Sequence, residues 1–593
     1  SGWLWLEKPD DDDDITGCDD EGSICDEEGW YYFGSNGKMY KDYKKKKVNG
    51  KYYYFNEHGQ MLYEWINDAK VKVKGSPSNA EADGNVATPN KAEIENMLYM
   101  NQVEEGWRAD GWYEIDGAED VGTDNDTDWY YFDDGEAKRA DSDKDFAQIE
   151  DNDETPIWRA KIKIKASNNK YFCFDEVGRM QTGLQYIPAA KGFYYFDDNG
   201  LMEYGWYEDE NSNYYYLGDE DDGARKSGWL WLERPDVDND DIGLCDDDDC
   251  EECDEEGWYW FAKDGKVYTG TKQKKIDGKY YYFNNHGQML YNWIIATKDQ
   301  VNHKDDEDIT PDGDIASMDY AFNVDKGWRV DGWLQVDGSY NMGMENDEDW
   351  YFFDDGDTIY ADKSTANNVG ALLDTDGYAM DTTDWRYRER IKKEGKWFCF
   401  DEKGRMKTGL QAIRNGSDYD VYFFDDNGFV KTGKVSNVEL DNGETANFYF
   451  STSNSKKGRG VTGEESGYLY YKGMRLEADD DYKFFGLPKD DAGNYDIYLV
   501  NENGKIQKGT SKNGKRFDPE KIENNDYAIV EESGYDDNDK IDVYVNTTSK
   551  GVVTGVRAAT SSTSSESKDL KTWVNDNAAK ADSINDVDFG WED

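Results

Sequence analysis

Proline and histidine are scarce in this chain of 593 residues, which contains 9 prolines and 3 histidines. No stretch approaches the roughly 20 consecutive apolar residues that a membrane-spanning helix needs, so we expect no membrane insertion. The few histidines leave few general bases, and no serine or cysteine lies at a recognisable spacing from one. We therefore expect that the chain is not an enzyme, although carboxylate pairs of the kind that glycosidases use are numerous.

Positive charge is also in short supply. The chain has 68 lysines and arginines against 130 aspartates and glutamates, which gives a formal net charge of −62. Nucleic acids are bound through lysine and arginine contacts to their phosphates, so we expect no nucleic-acid partner. The same deficit excludes electrostatic attachment to an anionic membrane surface. Cations, cationic headgroups and neutral polymers such as glycans remain as partners.

Aromatic residues, in contrast, are abundant. There are 21 tryptophans, 45 tyrosines and 24 phenylalanines, together 15% of the chain. Strongly charged chains that are disordered contain few aromatic residues. The coexistence of high charge and many rings therefore indicates an ordered framework that holds the rings.

A tandem duplication with a spacing of about 226 residues organises the chain. The segment Ser1–Pro9 returns as Ser227–Pro235, and Gly50–Tyr63 returns as Gly278–Tyr291. A third, divergent copy begins near Gly467. We therefore expect a hairpin-repeat unit at 1–226, its tandem duplicate at 227–466, a divergent third repeat unit at 467–555, and a Ser/Thr-rich linker with an acidic tail at 556–593.

A shorter module of about twenty residues recurs within these units. In one copy, Tyr52–Phe55 has the composition of a strand, Asn56–Gly59 has the residues of a turn, and Gln60–Tyr63 forms the returning strand. An isolated hairpin is barely stable in water, so each module needs its neighbours to bury its rings. The pattern predicts an all-β fold: an elongated β-hairpin repeat solenoid with acidic inserted loops.

The modules at 170–184 and 192–206 resemble the cell-wall-binding repeat family. This family includes the choline-binding repeats of bacterial surface proteins and lytic enzymes, the glucan-binding repeats of glucosyltransferases, and the repeats of clostridial large toxins. The resemblance implies a protein of the bacterial cell surface or a secreted protein. It also implies that choline-bearing or glucan-type polysaccharide binds in aromatic pockets between modules.

The resemblance also indicates which rings would hold the ligand. Binding sites in the family combine the tryptophan of a Gly-Trp step with strand aromatics of the following hairpin. A ring face attracts a quaternary ammonium through cation–π interaction. The alternative is that these rings form the core of the stack. The positions that match are Trp65, Trp112, Trp206, Tyr214, Tyr216, Trp293 and Trp333.

Acidic clusters are the second kind of candidate site. Their carboxylates are dense enough to bind Ca²⁺, which takes six to eight oxygen ligands, so Ca²⁺ is the expected cofactor and divalent cations are expected partners. The segment 236–243 starts like an EF-hand loop but lacks the glycine at its sixth place. The alternative is a solvated acidic loop. The metal candidates are Asp10, Asp12, Asp14, Asp236, Asp238 and Asp240.

The seven cysteines are an odd number, so at least one does not pair within the chain. Cys18 with Cys25, and Cys245 with Cys253, occupy matching places in the two copies and could each close a disulfide loop. Zinc binding by these clusters is the alternative. A further two cysteines, at 173 and 399, lie inside aromatic strands, where we expect buried small side chains.

Three hypotheses for the function follow. The first is a non-catalytic extracellular bacterial repeat protein that binds cell-wall choline or glycan polymer. The second is a structural stalk or self-assembling extracellular fibre, a homopolymer stabilised by Ca²⁺, disulfides or both. The third is the repeat tail of a lytic enzyme or toxin whose catalytic domain lies outside this sequence.

Overall fold

The computed structural model describes most of the chain, in segments separated by gaps. The chain divides into two compact units: Ser1–Thr269 with His286–Gln288, and Gly270–Asn285 with Met289–Asp593. This division falls inside the second sequence copy, and the domain boundaries expected from the duplication stay a prediction. The described residues are 1–8, 25–67, 69–70, 78–79, 91–116, 127–148, 156–235, 244, 253–270, 273–296, 301–302, 318–337, 348–362, 388–415, 418–440, 443–509, 514–518, 521–522, 542–558 and 568–583.

The first unit is a succession of short antiparallel sheets of two or three strands. It also contains the short helix α1, Lys91–Ile94. Its strands are β1 Gly2–Glu7, β2 Glu28–Phe33, β3 Tyr43–Val48, β4 Lys51–Phe55, β5 Trp65–Asn67, β6 Ser78–Asn79, β7 Leu98–Tyr99, β8 Gly111–Asp116, β9 Thr127–Asp133, β10 Glu136–Ala137, β11 Phe146–Gln148, β12 Pro156–Trp158, β13 Ala160–Ile164, β14 Lys170–Phe174, β15 Met180–Gln181, β16 Gly183–Ile187, β17 Gly192–Phe196, β18 Trp206–Glu208, β19 Tyr214–Tyr216, β20 Gly228–Glu233 and β21 Glu256–Phe261.

The second unit continues the hairpin pattern and adds one sheet of six strands and one of five strands. Its strands are β22 Lys274–Ile276, β23 Lys279–Phe283, β24 Met289–Leu290, β25 Asn292–Ala296, β26 Val301–Asn302, β27 Met318–Ala321, β28 Gly332–Asp337, β29 Glu348–Asp354, β30 Asp357–Thr358, β31 Arg388–Lys393, β32 Lys396–Asp401, β33 Met406–Lys407, β34 Gly409–Asn415, β35 Asp418–Phe424, β36 Gly433–Glu439, β37 Thr445–Phe450, β38 Gly463–Glu465, β39 Tyr468–Tyr471, β40 Met474–Arg475, β41 Tyr482–Pro488, β42 Tyr495–Asn501, β43 Lys515–Phe517, β44 Val543–Thr547, β45 Val553–Ala558 and β46 Ala579–Lys580.

Hairpin β8–β9 shows why these sequences form strands. Aromatic residues favour extended backbone, and along β9 the side chains alternate between buried and exposed. Phe132 is fully buried, whereas Trp129 is 42% exposed. The strand ends at Asp134 and Gly135, where φ is 53° and 81°. Positive φ at both residues is typical of a two-residue hairpin turn, for which Asp-Gly is a favoured sequence.

An aspartate closes the module turn through hydrogen bonds to the backbone. Asp175 Oδ1 accepts bonds from the backbone N–H groups of Val177 and Arg179, at 3.0 and 2.8 Å. Its Oδ2 accepts a bond from Arg179 Nε at 2.7 Å. The second copy repeats the carboxylate–arginine pair at Asp401 and Arg405, also at 2.7 Å. Both carboxylates are buried, and these bonds satisfy them there.

Successive modules meet where a turn glycine of one contacts a methionine of the one before. A Cβ atom built on Gly200, where φ is 75°, would lie 2.2 Å from Met180 Sδ. At Gly428, where φ is 74°, it would lie 2.4 Å from Met406 Sδ. Both the positive φ and the close approach therefore require glycine, which fixes this residue in the module.

Aromatic rings fill the interior of both units. The expected all-β hairpin-repeat solenoid is confirmed within each unit, because short hairpins follow one another and bury their rings against neighbouring hairpins. The largest fully buried side chains are Tyr259, Tyr282, Tyr351, Phe55, Phe132, Phe174, Phe196, Phe261, Phe283, Phe353 and Phe400.

The end of the described chain differs from the hairpin stack. Helix α2, Lys568–Asn577, buries Leu570 and Val574 in a cluster that also contains Val543 and Val556. Strand β46 then pairs in parallel with β41. Among the described residues, no helix is long and apolar enough to cross a membrane.

Candidate aromatic binding site

Two of the predicted ligand-binding tryptophans lie in the core. Trp65 is 3% exposed and Trp293 is 6% exposed. The two sit in matching ring clusters: Trp65 with Tyr99, Tyr130 and Phe132 at centroid distances of 5.1, 5.8 and 5.5 Å, and Trp293 with Tyr320, Tyr351 and Phe353 at 5.0, 5.1 and 5.8 Å. Their burial favours the alternative that these two rings form the core of the stack, and ligand contact at this pair stays an untested prediction.

Trp206, Tyr214 and Tyr216 come together as predicted, but as packing residues. All three are half-buried and lie against a cluster that includes Tyr259 and Phe261. The Trp206 ring is 4.8 Å from that of Tyr259, and its Nε1 donates a hydrogen bond to the backbone oxygen of Glu233 at 3.0 Å. Their rings face the next hairpin of the first unit, so we assign them to packing.

Trp112, another predicted residue, borders an open pocket. The pocket has a volume of about 350 Å³ and lies between successive hairpins of the first unit. The indole ring is 4.7 Å from Phe172 and stacks over Phe174 at 5.9 Å. Its Nε1 donates a hydrogen bond to Ser167 Oγ at 2.9 Å, which fixes the ring orientation. The lining residues are Trp112, Trp129, Phe172, Met180, Asp198, Asn199 and Leu201.

Three hairpins of the first unit position these side chains. Strands β8 and β9 carry the two tryptophans, β14 and β15 carry Phe172 and Met180, and the turn after β17 carries the polar residues. That turn is held by Asp197, whose Oδ1 accepts bonds from the backbone N–H groups of Asn199 and Leu201 at 2.9 and 2.7 Å. The pocket thus depends on how hairpins stack.

The chemistry of the pocket suits a cation with an apolar surface. Aromatic faces attract cations through their quadrupoles, and the thioether of Met180 is a soft, polarizable contact. Asp198 adds an exposed carboxylate at the rim. Trp129 presents the most accessible ring, at 42% exposure.

Sequence reasoning missed Trp129 and Met180. It selected the Gly-Trp step and the hairpin that follows it, whereas Trp129 lies on the second strand of the same hairpin as Trp112. The available signal was the Trp-Tyr-Tyr-Phe run that begins at Trp129. Met180 follows the module turn, and methionine recurs at this position in several other modules.

Trp333 has an equivalent framework in the second unit. Its ring lies 5.1 Å from Phe352, 4.5 Å from Phe398 and 5.8 Å from Phe400. The position equivalent to Leu201 is occupied by Phe429, whose ring is 5.5 Å from that of Phe398. A bulkier aromatic side chain therefore replaces leucine at this point of the second framework.

The predicted calcium ligands cannot be compared with the structure. Asp10, Asp12, Asp14, Asp236, Asp238 and Asp240 all lie outside the described residues, so Ca²⁺ binding stays a prediction. In the described part of the chain, Asp480, Asp481 and Glu502 bring one carboxylate oxygen each within 4.8 Å of one another. Such exposed acidic groups are common without an ion, and we assign none to them.

The cysteines follow the expected pattern in part. Cys25 is disulfide-bonded to a cysteine outside the described residues, so its pairing with Cys18 stays a prediction. The expected pair of Cys253 with Cys245 also stays a prediction, because Cys245 lies outside the described residues. Cys173 and Cys399 are buried, as predicted for small apolar side chains. Burial raises the pKa of the Cys173 thiol to about 12.

A stack of short hairpins whose rings pack between modules defines a β-hairpin repeat protein. Residues 24–39, 46–61 and 274–289 match a family model described as a putative cell wall binding repeat. The chain therefore carries cell wall binding repeats, and the resemblance expected from its modules is confirmed.

Known proteins show the same likeness. The chain is 25% identical to glucosyltransferase-S of Streptococcus mutans over 250 residues, which cover 42% of this chain and 15% of that protein. CbpJ of Streptococcus pneumoniae is 17% identical, with 78% of this chain and 100% of that chain covered and a TM-score of 0.26. The autolysin LytC of the same species is 18% identical, with 59% and 55% covered and a TM-score of 0.24. The chain spans 15% of the length of the curated relative that it matches.

Proposed function

We propose that this chain is a non-catalytic extracellular module that binds the choline groups of a bacterial cell-wall polymer in the pocket beside Trp112. The observation that carries this proposal is the pocket itself, where two tryptophans, a phenylalanine and a methionine surround about 350 Å³. A quaternary ammonium cannot donate hydrogen bonds, so ring faces and a nearby negative charge are the groups that recognise it.

The electrostatics of the chain support a cationic ligand. Asp198 lies at the rim of the pocket, and the net charge of −62 favours the approach of cations over anions. Repeats of the cell wall binding family at three places are consistent with a ligand on the cell wall. A polymer that carries many choline groups would also allow several modules to bind at once, which strengthens attachment through avidity.

A glucan-type polysaccharide is the second candidate. Trp129 presents an exposed indole face next to the side chains of Asp198 and Asn199, and flat rings with polar neighbours suit a sugar ring. The similarity to a glucosyltransferase favours this ligand independently of the pocket.

The test is a choline titration of the full chain, followed by calorimetry, with Trp129→Ala as the variant. Trp129 is exposed, so its removal leaves the core intact. Loss of one cation–π contact of about 1–2 kcal/mol weakens choline binding about 5- to 30-fold. Trp231→Ala is the matched control, because Trp231 is also 42% exposed but its indole Nε1 bonds Glu256 Oε2 at 3.1 Å in another hairpin.

Three outcomes separate the candidates. A loss confined to Trp129→Ala supports choline binding at the pocket. Equal effects of the two variants would contradict the assignment to this pocket. If choline does not bind but soluble dextran does, and Trp129→Ala abolishes that binding, the glucan is the ligand.

A further inference from the structure

At six described glycines a Cβ atom would contact a methionine of the preceding module, and we call the residue after each such glycine the capping residue. The shared glycine–methionine contact places these six residues at the same point of the framework. The capping residues are Gln60, Trp107, Leu201, Ala224, Trp328 and Phe429, and the methionines are Met39, Met61, Met180, Met202, Met289 and Met406.

A lysine of the chain lies over the ring wherever the capping residue is aromatic. Lys51 Nζ lies 2.7 Å from the centroid of the Trp107 ring, and Lys396 Nζ lies 3.6 Å from that of Phe429. The third pair, Lys279 and Trp328, is looser, at 5.1 Å. Each of these lysines is the first residue of its strand, β4, β32 or β23.

At the open pocket beside Trp112 the capping residue is Leu201, which has no ring face. The equivalent lysine, Lys170, forms an ion pair with Glu220 at 2.6 Å, and this hydrogen-bonded pair raises the pKa of Lys170. Its Nζ lies 5.9 Å from the centroid of the Tyr204 ring, which is not a capping residue. Among the described residues, a lysine therefore lies over each aromatic capping ring, whereas the capping residue beside Trp112 is a leucine that borders an open pocket.

We propose that Lys51 and Lys396 are internal ligands of the aromatic capping rings, and that they close their modules to external quaternary ammonium groups while Leu201 leaves one pocket open. This inference rests on the proposed function, because it assigns which modules can bind choline. It goes further by naming the residues that decide occupancy.

The physical basis is competition between a tethered and a free cation. A group tethered through a short flexible linker has an effective concentration in the millimolar range, and it needs no diffusion to reach the ring. An ammonium at the ring also repels a second cation, because like charges in contact disfavour each other. A lysine that holds the ring face must therefore be displaced before a choline can bind there.

The first experiment tests the contact itself and needs no ligand. Lysines of the full chain are converted to ¹³C-dimethyl lysines, and the Lys51 signal is assigned with Lys51→Arg. A methyl group over an indole face is shielded by the ring current, so we expect an upfield-shifted signal that returns to the main lysine envelope in Trp107→Leu. Trp328→Leu is the control that leaves it in place. A Lys51 signal inside the main envelope of the unsubstituted chain would overturn the inference.

The second experiment tests the consequence. In chain labelled with 5-fluorotryptophan, the ¹⁹F signal of residue 107 is assigned with Trp107→Phe and followed during a choline titration. Lys51→Gln should increase the affinity at this ring about two- to fivefold, the range that one exposed cation–π contact represents. Lys38→Gln, a charge-matched change at an exposed position, should have no effect.

The outcomes for this inference and for the proposed function are distinguishable. If choline binds at the Trp129-dependent pocket and Lys51→Gln gains nothing at residue 107, the inference fails and the proposed function stands. If choline binds nowhere, the proposed function fails. In that case the ring-current measurement still decides whether Lys51 occupies the ring.

Discussion

A buried carboxyl group beside an exposed one makes the second unit sensitive to pH. Asp319 on β27 is 4% exposed and lies directly opposite Asp357 on β30. The hydroxyl of Tyr282 donates a hydrogen bond to its carboxyl group, and Arg329 is the nearby positive charge. Burial, followed by the interaction with Asp357, raises the pKa of Asp319 from 3.8 to about 7. The folded state therefore favours the protonated carboxyl group near neutral pH.

The magnitude follows from this pKa difference. At about 1.4 kcal/mol per pKa unit, the range from 3.8 to about 7 corresponds to about 4 kcal/mol as an upper bound. Because the folded-state pKa of Asp319 is raised, its contribution is fully present below pH 4 and is lost as the pH rises to about 7. In Asp319→Asn the group does not ionise, so the local stability should no longer fall over this range.

The first copy has an uncharged residue at the position equivalent to Asp319. Leu98 occupies the position equivalent to Asp319 and is buried to the same degree, at 4% exposure. Asp319→Leu should therefore be accommodated, and it should be more stable than the unsubstituted chain at pH 8.

Hydrogen exchange measured by mass spectrometry is the assay, because it reports local opening of a chain that has two compact units. Peptides that cover β27 and β30 are followed from pH 4 to pH 8, and their rates are corrected for intrinsic exchange. Protection should fall with pH in the unsubstituted chain and stay level in Asp319→Asn. Parallel pH profiles for the two proteins would refute the reasoning. Peptides from the segment around Leu98 provide the internal control.

Three further predictions concern packing and the pocket. Trp65→Ala removes a buried indole and should destabilise the first unit by about 3–5 kcal/mol in denaturant unfolding followed by tryptophan fluorescence, whereas Trp129→Ala should change stability by less than about 1 kcal/mol. Asp401→Ala breaks a buried ion pair and should cost about 3 kcal/mol, seen as faster hydrogen exchange around the turn; unchanged exchange there would contradict the role of this carboxylate. Leu201→Phe fills the pocket with the ring found in the second unit and should lower choline affinity at least tenfold in calorimetry, and an unaffected affinity would place the ligand elsewhere.

The strands and turns could be predicted from the sequence because their causes are local. The run Tyr52–Phe55 forms β4 with Lys51, and the turn at Asn56 is closed by its own side chain, whose Oδ1 accepts the N–H of Gln60 at 2.9 Å. These interactions join residues a few positions apart, so composition and spacing determine them.

The role of each ring could not be predicted in this way. Trp65 and Trp112 both looked like members of ligand sites, yet one is 3% exposed and the other borders a pocket. The two tryptophans differ in which rings pack against the faces of their indoles. For Trp112 that ring comes from Phe172, which lies sixty positions later in the sequence. Burial of this kind depends on contacts between modules.

The sequence by itself thus determined the hairpin, its turn and its repetition, because backbone hydrogen bonds and turn chemistry act within about twenty residues. Only the tertiary structure decided which rings are core and which are open to a ligand. The sequence shows that leucine stands at 201 and phenylalanine at 429. Only the structure shows that both side chains pack beside equivalent residues, Met180 and Trp112 in one unit and Met406 and Trp333 in the other. The packing of one module on the next decides which ring face stays uncovered. Those contacts join residues that are far apart in the sequence, so local patterns cannot predict them.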